Sequence, residues 1–191
     1  MRGQIKEVLS DLNKATVIVT HDQLEALTMA TKIAVMRDGL IEQISSPHDI
    51  FAKPENTFVA GFIGTPQMNI SNCNISSNGS DAIEINVFNQ KLKYDFNNKI
   101  DGNINDNYFL GIRPRSFDII DSSSAESLTG EVDLIENMGA EVLLHVKIKD
   151  TTFRTVQSRS HKIKLGDTIH LRPKKGQVHL FGNDGKVISN G

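Results

Sequence analysis

Several features that mark common functional classes are scarce or missing in this chain of 191 residues. Its single cysteine, Cys73, excludes an internal disulfide and suits a reducing compartment. A net charge of −2 with mixed signs gives no broad basic field for nucleic acid or anionic lipid. No apolar run approaches the ~20 residues that span a bilayer, and the N-terminus lacks a signal-peptide pattern. We therefore expect no nucleic-acid partner and no direct membrane insertion.

A phosphate-binding loop is also missing. No Gly-x-x-x-x-Gly-Lys-Ser/Thr segment occurs, and the nearest echo, Gly185-Lys186, is followed by Val187. The chain thus has no loop whose backbone N–H groups and lysine could hold phosphates. We expect that the chain alone neither binds ATP tightly nor hydrolyses it, and that it needs no cofactor.

The most informative stretch lies near the N-terminus. The β-branched run Thr16–Thr20 predicts a strand buried on both faces, and Asp22 with Glu25 predicts the capping box of a helix. His21 would then lie at the carboxyl end of a core strand and just before a helix N-terminus, a place that favours anionic ligands. The pattern alone leaves two interpretations open, a histidine that contacts a phosphate and a histidine that only caps its own turn.

The first third of the chain mixes helix and hairpin signals. A helix is predicted at 5–12, followed later by a hairpin of strands 33–36 and 40–44 around Arg37-Asp38-Gly39. A second helix is predicted to begin at Ser46, Pro47 and Asp49, and a third at 57–63 with Asn56 as its cap. The segment Gly64-Thr65-Pro66 then breaks the pattern. We predict a domain boundary there, which divides the chain into 1–66 and 67–191.

The second region changes to the period of two that half-buried antiparallel strands show. Strands are predicted at 83–87, 92–96, 132–134, 142–148, 153–156 and 178–181, and such short spacings favour a small barrel or sandwich. The region also repeats itself, because 110–114 ahead of 117–119 is echoed by 169–173 ahead of 178–181. The fold class predicted is α+β, a remnant of an α/β domain followed by an all-β barrel.

A set of short sequence motifs in the first region resembles those of a known protein family. The residues concerned are Thr20-His21-Asp22-Gln23, Glu25-Ala26, 32–36, Asp38-Gly39, 42–44, Pro47, Pro54, 58–64, Pro66, Met68 and Asn69. They resemble the end of the nucleotide-binding domain of ABC transporter ATPases, in the maltose-type branch that imports sugars and glycerol phosphate. The resemblance implies that His21 is the switch-loop histidine that senses the γ-phosphate.

The second region resembles the regulatory domain of the same ATPases, which is built from OB-like barrels and called TOBE. The matching residues are 110–114, 130–132, 136–139 and 178–181. The family pattern Gly-Ile-Arg-Pro-Glu has Arg115 here in place of glutamate, which reverses a charge. The resemblance implies a homodimer in which these domains meet across a two-fold axis.

Taken as a resemblance, this pattern implies the C-terminal portion of a subunit that uses ATP and Mg²⁺ when complete. The chain lacks the Leu-Ser-Gly-Gly signature and the apolar run ending in Asp-Glu, so we expect no activity from it alone. The complete subunit would lie at the cytoplasmic side of the membrane, bound to membrane-spanning permease subunits.

Other functions stay open at this point. A stand-alone module that binds small oxyanions between paired TOBE-like units is the main alternative, and an OB-type nucleic-acid binder is a third. The latter needs exposed aromatics along a basic groove, whereas the chain has two tyrosines and no tryptophan. The histidines outside the first region lack the short spacings of a zinc site, so no metal site is predicted: His145, His161, His170 and His179.

Overall fold

The computed structural model describes residues 15–78, 82–96, 100, 106–159 and 162–190. The helix predicted at 5–12 lies outside the described residues. The helices are α1 (Gln23–Met29), α2 (Pro47–Ala52) and α3 (Thr57–Phe62). The strands are β1 (Ile33–Arg37), β2 (Leu40–Ser45), β3 (Asn69–Asn78), β4 (Ile83–Val87), β5 (Gln90–Tyr94), β6 (Asn107–Ile112), β7 (Phe117–Ile120), β8 (Leu128–Asn137), β9 (Glu141–Ile148), β10 (Thr151–Ser158), β11 (Thr168–Pro173), β12 (Val178–Phe181) and β13 (Val187–Asn190).

Within the residues that the structure describes, the first region forms a hairpin and three short helices around a small core of its own. Asp38 and Gly39 have φ of 52° and 80°, the left-handed pair that a two-residue hairpin turn requires, so the predicted β1–β2 hairpin is confirmed. Ser46 caps α2 with Pro47 in its first turn, and Asn56 caps α3, as predicted. The buried core of this region consists of Ile33, Val35, Ile50, Val59 and Ile63.

The strand predicted at Thr16–Thr20 is wrong. These residues form no strand, and Val17 and Val19 are 90% and 95% exposed. A strand buried on both faces needs neighbouring strands and a layer of helices on each side. The part of the chain that the structure describes supplies neither to this segment.

The second region consists of two antiparallel sheets that share one core. One sheet has the order β10-β9-β8-β11-β7 and the other β13-β12-β6-β3-β4-β5. Alternate residues of both sheets fill the space between them, and the largest fully buried side chains include Phe117, Phe153 and Leu110. The fold is therefore α+β as predicted, with a small remnant of helices and hairpin followed by an OB-like β region.

The predicted internal repeat is present, and its two copies interlock. In the first copy β6 leads to β7, and in the second β11 leads to β12. Strand β6 pairs with β12, with Val178 opposite Ile112, whereas β7 pairs with β11, with Arg172 opposite Asp118. Each copy thus crosses from one sheet to the other, and each strand of one copy pairs with a strand of the other copy.

Asn69 ties the two sheets together at the start of β3. Its buried amide group donates to Ile112 O at 3.1 Å and to Arg154 O at 2.8 Å, and its Oδ1 accepts from Arg154 N at 2.7 Å. A buried amide with its donors and acceptor paired to backbone in this way holds a fixed geometry. Asn69 therefore sets the position of β3 relative to β10.

Candidate functional site

His21 is exposed and lies in a bend directly before Asp22, the N-cap residue of α1. The carboxylate of Asp22 accepts hydrogen bonds from Leu24 N at 2.9 Å and Glu25 N at 3.1 Å, so the predicted N-cap is confirmed. Asp22 N donates to Thr20 Oγ1 at 3.0 Å. In a complete capping box, Asp22 N would donate to the side chain of Glu25 instead. The structure thus places His21 at a helix N-terminus with its side chain in solvent.

Gln23 fixes the start of α1 to the end of α3. Its Nε2 donates to Phe62 O at 2.5 Å, and its Oε1 accepts from Gly64 N at 2.9 Å. One side chain therefore pairs with a carbonyl and an N–H two residues apart on the same strip of backbone. This bond pair orients the helix that follows His21.

Arg113 reaches the same strip of backbone from the second region. The buried guanidinium donates through Nη1 to Ile63 O at 2.7 Å, and through Nε and Nη2 to Phe51 O at 3.1 and 2.5 Å. It also lies 3.7 Å over the centre of the Phe51 ring. Both carbonyls belong to helix C-termini, which attract positive charge. Burial lowers the pKa of Arg113 to about 10.

Arg115, the residue that departs from the family pattern, has a partner within its own chain. Its guanidinium forms a two-pronged ion pair with Glu141, in which Nη2 donates to Oε2 at 2.8 Å. Hydrogen bonding to Arg115 holds the pKa of the Glu141 carboxyl below its usual value. The reversed charge thus joins the corner after β6 to the start of β9.

The described histidines of the second region have individual partners and do not gather. His145 bonds Glu136, His170 bonds Thr129, and His179 bonds Asn190. His161 lies outside the described residues. Burial of His179 lowers its pKa to about 4, and burial of Cys73 raises the pKa of its thiol to about 12. Across the described ranges, no three histidine, cysteine or acidic side chains are grouped so that they could hold a metal ion.

A polar depression of about 370 Å³ lies on the six-stranded sheet. It is lined by Asp106, Asn107, Tyr108 and Asn183. A carboxylate and neutral groups line it, so its charge opposes an oxyanion. Within the described residues, no helix is both long and apolar enough to cross a lipid bilayer.

Two residues of this site have roles that the sequence did not predict. Gln23 and Arg113 appear in the motifs quoted above, but neither was assigned a contact. A signal for Arg113 exists, since an arginine directly after the apolar end of β6 has to bury its stem and find acceptors for its head. No comparable signal distinguishes Gln23 from other polar residues in a helical first turn.

Comparison with known proteins identifies relatives along nearly the whole chain. Residues 110–181 match the family model described as TOBE domain. The trehalose/maltose import ATP-binding protein MalK of Thermococcus litoralis is 33% identical over 98% of this chain and 52% of its own length. The sn-glycerol-3-phosphate import ATP-binding protein UgpC 1 of Rhizobium johnstonii is 31% identical over 100% of this chain and 51% of its own length. The chain therefore spans about half the length of these relatives.

A solved structure supports the fold of the β region. The cytoplasmic molybdate-binding protein ModG aligns with a TM-score of 0.50 and 13% identity, covering 60% of this chain and 95% of its own. At that identity the likeness concerns the fold alone.

The oligosaccharides import ATP-binding protein MsmX of Bacillus subtilis is a further relative, 32% identical over 98% of this chain. The chain is thus similar along nearly its whole length to import ATP-binding proteins for sugars and sn-glycerol-3-phosphate, and its residues 110–181 match the TOBE domain family.

Proposed function

We propose that this chain supplies the switch histidine, His21, and the regulatory β region of an ATP-hydrolysing importer subunit. The imported solute is a carbohydrate or a glycerol-phosphate-like compound, as the names of the relatives suggest. The complete subunit uses ATP and Mg²⁺, pairs with a second copy and moves membrane-spanning permease partners from the cytoplasmic side. The domain division at residues 66 and 67 belongs to this proposal.

The position of His21 is the observation that supports the proposal most directly. An exposed imidazole lies at the N-terminus of a helix whose first N–H groups are capped by Asp22. A phosphate brought to this point could accept a hydrogen bond from the imidazole, whereas the N–H groups of Leu24 and Glu25 are already bonded to the Asp22 carboxylate. In the complete subunit the role of His21 is to hold the γ-phosphate and the attacking water in line, which lowers the barrier mainly in the transition state.

The test uses a subunit completed with the half of the Thermococcus litoralis relative that this chain does not span. His21→Ala is expected to lower the hydrolysis rate by several orders of magnitude, on the scale of losing a transition-state contact, while ATP affinity changes little. Steady-state hydrolysis and equilibrium nucleotide binding measure the two effects separately.

His48 provides the matched control for that substitution. It is also exposed in the first turn of a short helix, α2, with its side chain 84% accessible and 3.6 Å from the carboxylate of Asp49. His48→Ala should leave hydrolysis unchanged. Near-normal hydrolysis by the His21→Ala subunit, or its loss together with the fold, would assign His21 a structural role.

The chain by itself should be inactive, which makes a second prediction. Because it has no phosphate-binding loop, we expect calorimetry with the purified 191-residue chain to detect no micromolar affinity for Mg-ATP. Micromolar binding would show that the residues present form a nucleotide site of their own. The oxyanion alternative is tested in the same instrument with molybdate, sulfate and phosphate, and tight binding of one of these would favour it.

A further inference from the structure

The backbone strip Phe62-Ile63-Gly64 receives side chains from both regions of the molecule. From one side the amide of Gln23 pairs with Phe62 O and Gly64 N. From the other, Arg113 donates to Ile63 O, the carbonyl between those two groups. Three successive residues are thus bonded alternately by the helix that follows His21 and by the strand end of the TOBE domain.

The strip has little freedom to move between its two partners. Gly64 has φ of +115°, and a Cβ at this position would lie 3.0 Å from Arg113 Nη1 and 3.3 Å from the Phe51 ring. Ile63 is buried in the small core with Val59 and Ile50. A displacement of the strip on one side therefore disturbs the bonds on the other, because the backbone, the Arg113 head and the Phe51 ring are in contact.

We propose that Gln23 and Arg113 are positioning residues that couple the His21 segment to the β-rich region through this strip. The inference rests on the proposed role of His21 for its functional meaning. The coupling is an interaction free energy between the Gln23 contacts and the Arg113 contacts, and a change at either one affects the other by the same amount. In the complete subunit, a movement of His21 toward a phosphate would change the packing of Arg113, and a movement of the TOBE domain would displace His21.

A double-mutant cycle on the full chain measures this coupling without nucleotide. Gln23→Leu and Arg113→Met each remove bonds to the strip, and the cycle compares the unfolding equilibrium constants of the single and double variants. We expect the effects to depart from additivity by a factor on the order of five. Arg113→Lys, which keeps the charge and a donor, replaces Arg113→Met if that variant does not fold.

Gln90 supplies the matched control for Gln23. Its amide also bridges a backbone carbonyl and N–H, donating to Thr129 O and accepting from Thr129 N, both at 2.7 Å. This bridge lies between β5 and β8, away from the strip. Gln90→Leu combined with Arg113→Met should be additive within about twofold. Equal coupling in both cycles, or additivity in both, would overturn the proposal.

Amide exchange locates the effect along the chain. In the ¹⁵N-labelled full chain, Arg113→Met should raise exchange across α1 by about tenfold, because α1 loses the fixed strip that Gln23 binds. Gln157→Leu removes buried bonds to Phe117 O and Thr155 Oγ1 inside the β region and should leave α1 unchanged. Unchanged exchange in α1 of the Arg113→Met chain would contradict the coupling. Neither measurement involves ATP, so its outcome is independent of the hydrolysis test of His21.

Discussion

At the scale of single residues, the described ionisable groups differ most in how completely water is removed from them. Arg113 keeps its charge because two helix-terminal carbonyls and the Phe51 ring replace its hydration. His179 lies 4% exposed beside this cation and is paired with Asn190. Desolvation lowers its pKa to about 4, and the charge of Arg113 acts in the same direction. His179 is therefore buried as the neutral imidazole.

This burial predicts a loss of stability in mild acid. The unfolded chain binds a proton at His179 near pH 6.5, whereas the folded chain binds it only near pH 4. Between these values the unfolded state carries more protons, so the free energy of unfolding falls as the pH is lowered. The loss is roughly 3 kcal/mol at most for this shift. Urea titrations from pH 7.5 to 4 measure it.

The His179→Gln chain should lose that part of the pH dependence, because the glutamine side chain does not bind a proton in this pH range. The wild-type chain, titrated under the same conditions, is the control. An unchanged acid slope in the His179→Gln chain would show that other groups account for the effect.

At the scale of elements, two glycines allow strands to approach each other closely. A Cβ on Gly111 in β6 would lie 2.8 Å from both Met68 Sδ and Phe181 Cε2. A Cβ on Gly130 in β8 would lie 2.7 Å from the backbone oxygen of Lys147. At Gly111 the Met68 thioether can move aside and the Phe181 ring has to tilt, whereas at Gly130 a carbonyl in a sheet ladder cannot move without breaking the ladder.

We therefore predict unequal costs for two substitutions of the same kind. Gly111→Ala should lower the free energy of unfolding by about 1–2 kcal/mol, and Gly130→Ala by about 3 kcal/mol or more. Urea midpoints of the two variants provide the comparison. Met68→Ala should cost less in the Gly111→Ala chain than in the wild-type chain, and as much in the Gly130→Ala chain as in the wild-type chain. Equal costs would mean that the β8 ladder relaxes more easily than its geometry indicates.

The elements that the sequence predicts well are those whose signals are local. The β1–β2 hairpin needs only Asp38-Gly39 between two apolar runs, and the α2 cap needs only Ser46 and Pro47. Strand β3 was hard to predict, because Asn69, Ser71 and Cys73 on its buried side are polar or small. The bonds of Asn69 to β6 and β10 compensate for that polarity, and they come from residues far away in sequence.

The candidate site shows the same division. Asp22 and its helix follow from local spacing, whereas the failure of the Thr16–Thr20 strand depends on which neighbours are present in space. Gln23 and Arg113 bond the same strip of backbone only because tertiary packing brings the end of α3 next to the end of β6. The position of His21 before a helix could thus be predicted from the sequence, whereas the contacts of Gln23 and Arg113 with residues 62–64 could not.

At the scale of the whole molecule, apolar surface is concentrated on the first region. The outward face of the β1–β2 hairpin presents Met36, Ile41 and Ile44, each more than half exposed. The outer face of a hairpin usually carries polar residues. Together with the exposed Val17 and Val19, this face is a candidate for contact with another polypeptide.

We predict that the full chain is a homodimer held chiefly by residues 67–191. Light scattering on the full chain and on a fragment starting at Gln67 tests this, and two dimers would support it. A dimeric full chain beside a monomeric fragment would assign the contact to the first region. Two monomers would reject the dimer.

Surface substitutions refine the same test. If the hairpin face makes the contact, Ile44→Lys should give monomers, whereas Leu165→Lys should not, although Leu165 is 67% exposed on the β region. If residues 67–191 make the contact, Ile44→Lys should leave the dimer intact.

The interlocked repeat has a consequence for how the β region can be divided. Because β6 pairs with β12 and β7 with β11, each copy supplies one strand to each sheet. The arrangement is that of a domain-swapped pair joined into a single chain, with β8, β9 and β10 inserted as the connection. A chain that ended after β10 would lack strands in both sheets at once, so neither copy of the repeat can fold without the other. The native β region therefore forms only when the two copies of the repeat, about sixty residues apart in sequence, have paired.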